Sequence, residues 1–136
     1  MGVKRYTATQ DNTITNAYKL NLSTRGTGSN MGASDILEVF SIYGQQTTSS
    51  AELSRVLIKF PVDTISSDRS NNKIPASGSV SFYLRVFNAR HSEQLSKDFT
   101  LNVLAVSQSW EEGSGLDMEG YTDETNDKIA GSSWIN

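Results

Sequence analysis

Alternation of apolar and polar residues is the dominant pattern along this chain. It is clearest at residues 80–87, VSFYLRVF, where every second position is large and apolar. Successive side chains of a β-strand point to opposite faces, so this period of two predicts a strand with one buried face. The same criterion predicts strands at several further places, namely residues 3–8, 13–15, 36–43, 54–60 and 99–106.

Two of these stretches also indicate which surfaces are covered. In residues 54–60, SRVLIKF, the alternation directs Val56, Ile58 and Phe60 toward the core. Residues 36–43, ILEVFSIY, are largely apolar on both faces. Such a strand is either covered on two sides or lies at a contact between subunits.

The segments between the predicted strands are rich in turn-forming residues, and no long pattern with a period of 3.6 residues is present. Helices should therefore be few and short. Pro61 should end the strand before it, residues 62–65 should form a short turn-like element, and residues 66–73 should form a polar loop. Short strands separated by turn clusters are typical of a β-sandwich rather than of a βαβ sheet.

Composition narrows the class of protein. The 136 residues and 36% hydrophobic content predict one domain, and 12 basic against 15 acidic residues give a net charge of −3. That balance argues against a nucleic-acid binder, which needs clustered Lys and Arg. Without cysteine there can be no disulfide, thiolate metal site or thiol nucleophile. No apolar run approaches the roughly 18 residues of a membrane span, and the polar N-terminus lacks a secretory signal, so synthesis in a cytoplasm is expected.

Candidate catalytic groups are sparse. His91 is the single histidine, and it lies in a polar loop. A catalytic dyad or a zinc site would have to be built around this one residue, so a solvent-exposed histidine is the better interpretation. No nucleophile, base and orienting group occur together in the sequence, and we expect a protein that is not an enzyme.

An acidic, glycine-containing loop at residues 111–127 is a candidate metal site. Its seventeen residues contain seven carboxylates and neither Lys nor Arg. Calcium prefers carboxylate oxygens, although the spacing differs from that of an EF-hand loop. A solvated or partner-facing loop is the alternative. The ligands predicted for calcium are Asp117, Glu119, Asp123 and Asp127.

Trp110 and Trp134 are the other candidates, and each follows a serine near the end of a predicted segment. An indole ring can stack on a sugar ring through its apolar face. More often a tryptophan at such a place packs against its own domain. We interpret both residues as structural anchors and retain sugar stacking as the second interpretation.

Five segments, in order along the chain, carry a resemblance to a known family. They are TATQDNTITNAY, GSNMGASDILEVF, SRVLIKFPVDTI, IPASGSVSFYLRVF and LNVLAVSQSWEEG. The last is the most specific, because it ends in Ser-Trp, acidic residues and Gly. The series resembles the DNRLRE-type domain, with Met31 at a usually aromatic position, Pro61 at a usual aspartate, and without the DNRLRE hexapeptide itself.

This resemblance implies an all-β fold, an antiparallel β-sandwich of jelly-roll type. Residues 132–136, SSWIN, are similar to a later Thr-Trp-Asn element of the family, after which further strands follow. Residues 1–136 would then be a single β-sandwich domain that is incomplete at the C-terminus, the N-terminal part of a longer domain or protein. An incomplete sandwich exposes unpaired strand edges, which a partner or further residues of the protein should cover.

The resemblance also implies a function. In its N-terminus without a secretory signal, its lack of cysteine and its polar loops, the chain resembles virion proteins of tailed phages that use this sandwich. We therefore expect a non-enzymatic structural protein of the virion, as a decoration, neck or tail-associated component made in the host cytoplasm. Its partners would be other virion proteins or copies of itself, with no nucleic acid and no membrane. The alternative is a carbohydrate-binding module of a larger surface or virion protein that binds glycans and is stabilised by calcium.

Overall fold

The computed structural model describes residues 2–19, 21–43, 51–90, 98–116 and 131–135. Within them, the regular structure is mostly strand, in agreement with an all-β class. The elements are β1 (Gln10–Thr15), β2 (Ser41–Tyr43), β3 (Ala51–Lys59) and one short helix, α1 (Val62–Ser70). No described helix is long and apolar enough to cross a membrane.

The three strands form an antiparallel sheet in the order β1-β3-β2. β3 is central because it alone has two neighbours: Ile14 of β1 lies opposite Arg55, and Ser41 of β2 lies opposite Leu53. Opposed residues share a face of the sheet. One face therefore carries Asn12, Ile14, Arg55 and Leu57, and the other carries Thr13 and Val56.

β1 is the most buried strand, and its buried residues are unusually polar. Asn12, Thr13 and Thr15 are fully buried, together with the apolar Ile14. The outer edge of β1 is covered by the segment that follows it, where the Met31 amide donates to the Thr13 carbonyl at 3.1 Å. Buried polar groups persist only where they are hydrogen-bonded, so this strand is held by specific contacts as well as by packing.

The predicted strands are confirmed in the sheet and wrong at its margins. Residues 54–60 fall on β3 apart from Phe60, and residues 13–15 fall on β1. Of residues 36–43, only Ser41–Tyr43 form a strand. Residues 3–8 are irregular, because Lys4 and Tyr6 bind the buried carboxylate of Asp68 instead of a strand partner.

The polar loop predicted at residues 66–73 is wrong over its first five residues, because α1 continues to Ser70. Pro61 precedes the helix, Asp63 lies in its first turn and Arg69 in its last, an arrangement that suits the helix dipole. Only Asp68 of this helix is buried. A helix that is fixed by a carboxylate rather than by an apolar stripe gives no 3.6-residue hydrophobic period.

Residues 80–87 and 99–106, predicted as strands, are not strands within the described chain. None of their residues forms a backbone hydrogen bond with another described residue. A strand exists only where another backbone accepts and donates its ladder bonds, and the local alternation does not supply that partner. Most of their large apolar side chains are exposed.

Candidate functional site

Trp110 and Trp134 lie on one open groove, which we call the tryptophan groove. It consists of two adjoining hollows of about 450 and 330 Å³ that share Ser109, Trp110 and Ser132. The larger hollow extends beside Glu111. The smaller one reaches the sheet and Trp134. Sequence reasoning named the two tryptophans separately, and the fold brings them together.

The floor of the groove is one face of the sheet. Ile14, Arg55 and Leu57 all line the smaller hollow, and Ile14 lies opposite Arg55 in the register between β1 and β3. The guanidinium of Arg55 lies over the indole of Trp134, 4.2 Å from the ring centroid. A cation over an aromatic face is attracted by the ring quadrupole. Arg55 thereby fixes Trp134 and covers one face of its ring.

Hydrogen bonds hold the two walls of the groove together. The Glu111 amide donates to the Ser132 hydroxyl at 3.1 Å, and the Ser132 amide donates to the Glu111 carbonyl at 3.0 Å. The Trp134 amide donates to the Thr27 carbonyl at 3.0 Å. The segments on either side of the acidic loop are therefore fastened to each other and to the loop after β1.

Asn12 connects the sheet to both of these segments. Its side-chain amide donates to the Ser132 carbonyl at 2.9 Å, and its side-chain oxygen accepts from the Met31 amide at 3.0 Å. The residue is 0% exposed. Loss of Asn12 would remove one of the two acceptors of the buried Met31 amide and the side-chain donor to the Ser132 carbonyl, so the amide is a structural link beneath the groove.

Glycines allow the backbones to meet at this point. A Cβ on Gly115 would lie 1.8 Å from the Asn30 carbonyl oxygen, and one on Gly32 would lie 1.7 Å from the Glu112 carbonyl oxygen. Gly131 has φ +115° and is equally crowded. Contacts this close exclude any side chain. Close backbone approach thus explains Gly115 and Gly131, two of the glycines that follow Ser109-Trp110.

Two acidic residues, Asp11 and Glu112, interact where β1 meets the start of the acidic loop. The Asp11 amide donates to the Glu112 carboxylate at 2.9 Å. Burial raises the pKa of Asp11, and the neighbouring charge of Glu112 raises it further. Among the described residues, no group of three or more acidic or histidine side chains is placed to hold a metal ion.

The other predicted site residues cannot be compared with the structure. The calcium ligands predicted at Asp117, Glu119, Asp123 and Asp127, and the candidate His91, lie outside the described residues. The sequence interpretation did not select Arg55 for the site, although the alternation in residues 54–60 sets it opposite the predicted core face. Its aromatic partner Trp134 lies far along the chain, so no local pattern in the sequence could have identified this contact.

The groove carries groups that can bind a ligand. Its walls offer indole rings, the hydroxyls of Ser109 and Ser132, and a guanidinium. Rings and hydrogen-bonding groups of this kind can bind a polar ring such as a sugar. The covered face of Trp134 leaves Trp110 as the better stacking surface.

Neither a protein-family model, nor a curated protein, nor a solved structure matches the chain. The similarity of residues 101–113 to the DNRLRE-type domain therefore stays an expectation from the sequence. The groove and the exposed apolar segments are the features that indicate a function.

Proposed function

We propose that this chain is a non-enzymatic structural protein that acts by assembly, as a decoration, neck or tail-associated component of a tailed-phage particle. The sequence resemblance supports the first part of this proposal, that the protein belongs to a phage particle. Assembly as its mode of action follows from the surface of the described residues. The two parts are tested separately.

One observation carries assembly: two segments, residues 80–87 and 99–106, present most of their large apolar side chains to solvent. Tyr83 is 88% exposed and Leu104 is 82% exposed. Soluble monomers rarely expose contiguous apolar patches larger than a few hundred Å². A surface of this kind is typical of a subunit before its partner is added.

The backbone of the same segments supports this proposal. Their amides and carbonyls have no backbone partner among the described residues. Extended chains with free ladder groups bind other chains by strand addition, in which backbone bonds give affinity and alternate side chains give specificity. In the assembled state these segments would complete an antiparallel β-sandwich of jelly-roll type around the sheet of β1, β3 and β2.

The setting is tested on purified particles. Phage particles are isolated on a density gradient from a lysate of the source host and digested for quantitative mass spectrometry. The proposal expects peptides of this chain in a fixed ratio to the other particle proteins. Recovery of the chain only in the particle-free fraction would refute a virion role.

A carbohydrate-binding module is the second candidate, favoured by the groove that contains Trp110, Trp134 and Arg55. A glycan array probed with the intact chain tests it, with and without calcium. If this candidate is right, Trp110→Ala abolishes a specific glycan signal. Tyr43→Ala, which removes an exposed aromatic ring elsewhere on the sheet, leaves the signal unchanged.

A further inference from the structure

Residues 80–87 and 99–106, which we call the apolar arms, are described along their whole length yet pair with nothing in the described chain. Most of their apolar side chains are also exposed to solvent. The exposed large apolar residues of the arms are Phe82, Tyr83, Leu84, Val86, Phe87, Phe99, Leu101, Val103, Leu104 and Val106. A second polypeptide could pair with the backbone groups and cover the apolar side chains of such a surface.

The arms are large enough to form a stable interface. Phe82, Tyr83, Phe87 and Phe99 are between 63% and 88% exposed. Since a buried aromatic side chain contributes about 150–250 Å², these four residues leave roughly 600 Å² uncovered. A standard interface buries about 800 Å² on each partner, and the aliphatic residues of the arms exceed the difference.

The described sheet of the same chain has no edge that could accept an arm. The outer edge of β1 is occupied, because the Met31 amide bonds to Thr13 and a bridge joins Ile14 to Asn30. The outer edge of β2 is only three residues long. An arm of eight residues needs a longer partner than either edge offers.

The charge pattern favours a second copy over an unlike protein. Arg85 is the one charged residue in the two arms, and its guanidinium lies 4.8 Å from the ring centroid of Phe87. Because the arms carry so little charge, they would not attract a partner through opposite charges, and two identical arms would not repel each other. Antiparallel strands related by a two-fold axis are self-complementary, since residue i meets j and j meets i.

We infer that the apolar arms pair with the same arms of a second copy, so that the protein is a homo-oligomer whose β-structure is completed across the interface. This inference rests on the proposed assembly function and names its first partner. It also affects the tryptophan groove, because Val106 at the end of one arm lines that groove. Self-association would fix one wall of the site.

The absence of cysteine makes a direct test possible. Asn102→Cys places a single thiol in an arm, and Ser66→Cys places one on the exposed surface of α1 as a matched control. With a short bismaleimide, the arm variant should give a covalent dimer at protein concentrations at which the control stays uncrosslinked. Equal cross-linking of the two variants would contradict the inference.

The mass of the unmodified chain in solution is the second test, measured by light scattering after size exclusion. We expect an oligomer, and Leu104→Asp should weaken its self-association by at least about 30-fold, since burial of a leucine is lost and a charge is added. Thr64→Asp on α1 should leave the mass unchanged. This control also detects a general effect of added charge.

The outcomes separate the inference from the proposed function. A folded monomer that is still incorporated into particles would overturn self-pairing and leave assembly with other proteins standing. An oligomer that never enters particles would support self-pairing and refute the virion role. A monomer with arm amides protected from hydrogen exchange would overturn the inference, since the arms would then be paired within one chain.

Discussion

The guanidinium of Arg55 lies 4.2 Å from the centroid of the Trp134 indole. This contact joins the central strand β3 to a segment that lies beyond the acidic loop, almost eighty positions later in the sequence. The contact forms only when the two segments fold together. It therefore reports directly on whether the tryptophan groove forms.

Arg55→Ala should lower the free energy of unfolding by about 1 kcal/mol, because a cation–π contact at a partly exposed site contributes about that much. Arg5→Ala is the matched control, since Arg5 is exposed and has no ring contact among the described residues. Urea denaturation followed by tryptophan fluorescence measures both variants. An equal loss in the two would mean that the contact contributes nothing beyond charge.

Asn12→Ala should cost about 2 kcal/mol, because the Ser132 carbonyl loses its side-chain donor and the buried Met31 amide keeps only its bond to the Thr13 carbonyl. Asn71→Ala removes an exposed amide at the end of α1 and should change the stability by less than about 0.5 kcal/mol. Thermal or urea denaturation gives the comparison. Similar effects of the two substitutions would refute the role of Asn12 as a link.

Gly115→Ala should destabilise the protein by at least about 3 kcal/mol, since the new Cβ would overlap the Asn30 carbonyl. Gly2→Ala has open space and should have no effect. Gly78→Ala separates the cost of a positive φ from the cost of atomic overlap, because Gly78 has φ +92° but no atom within 4 Å of the added Cβ. If Gly115→Ala is no worse than Gly78→Ala in denaturation experiments, close approach is not the reason for the glycine.

The stability should fall in acid through Asp68. A hydrogen bond from Lys4, aided by one from the Tyr6 hydroxyl, lowers the pKa of this buried carboxyl to about 2. A carboxyl whose pKa is lower in the folded state stabilises the protein above its unfolded pKa, near 4, and this contribution is lost as the pH falls toward 2.

Unfolding free energies measured between pH 7 and pH 2 test this, with Asp68→Asn as the comparison. The variant should be less stable at pH 7, and the difference from the unmodified chain should shrink as the pH falls below about 4. Asp11, whose pKa is raised, is present in both proteins and does not affect the difference. A difference that is independent of pH would contradict the assignment.

The local pattern of apolar and polar residues was sufficient to predict part of the fold. The alternation in residues 54–60 predicted β3, because that strand lies in the middle of a sheet and its polar and apolar positions do alternate. β1 was recognised only at residues 13–15, since the residues it buries include Asn12 and Thr13 rather than aliphatic ones. α1 was missed because Asp68, and not an apolar stripe, holds it.

Other features depend on contacts between distant segments. The alternation at residues 80–87 and 99–106 predicted strands wrongly, because a local pattern cannot supply the backbone that must pair with them. Trp110 and Trp134 were selected from the sequence as aromatic residues at segment ends. Their position on one groove, and the contact of Trp134 with Arg55, arise from the pairing of β1 with β3 and from hydrogen bonds across the acidic loop.

Hydrogen exchange of the arm amides at two protein concentrations tests assembly through residues 80–87 and 99–106 most directly. At high concentration these amides should exchange slowly, because ladder bonds to another copy protect them, and on dilution they should become as fast as those of exposed loops. The amides of β3 should stay protected in both samples. Arm amides that exchange equally fast at every concentration, or are equally protected in a dilute monomer, would contradict the account.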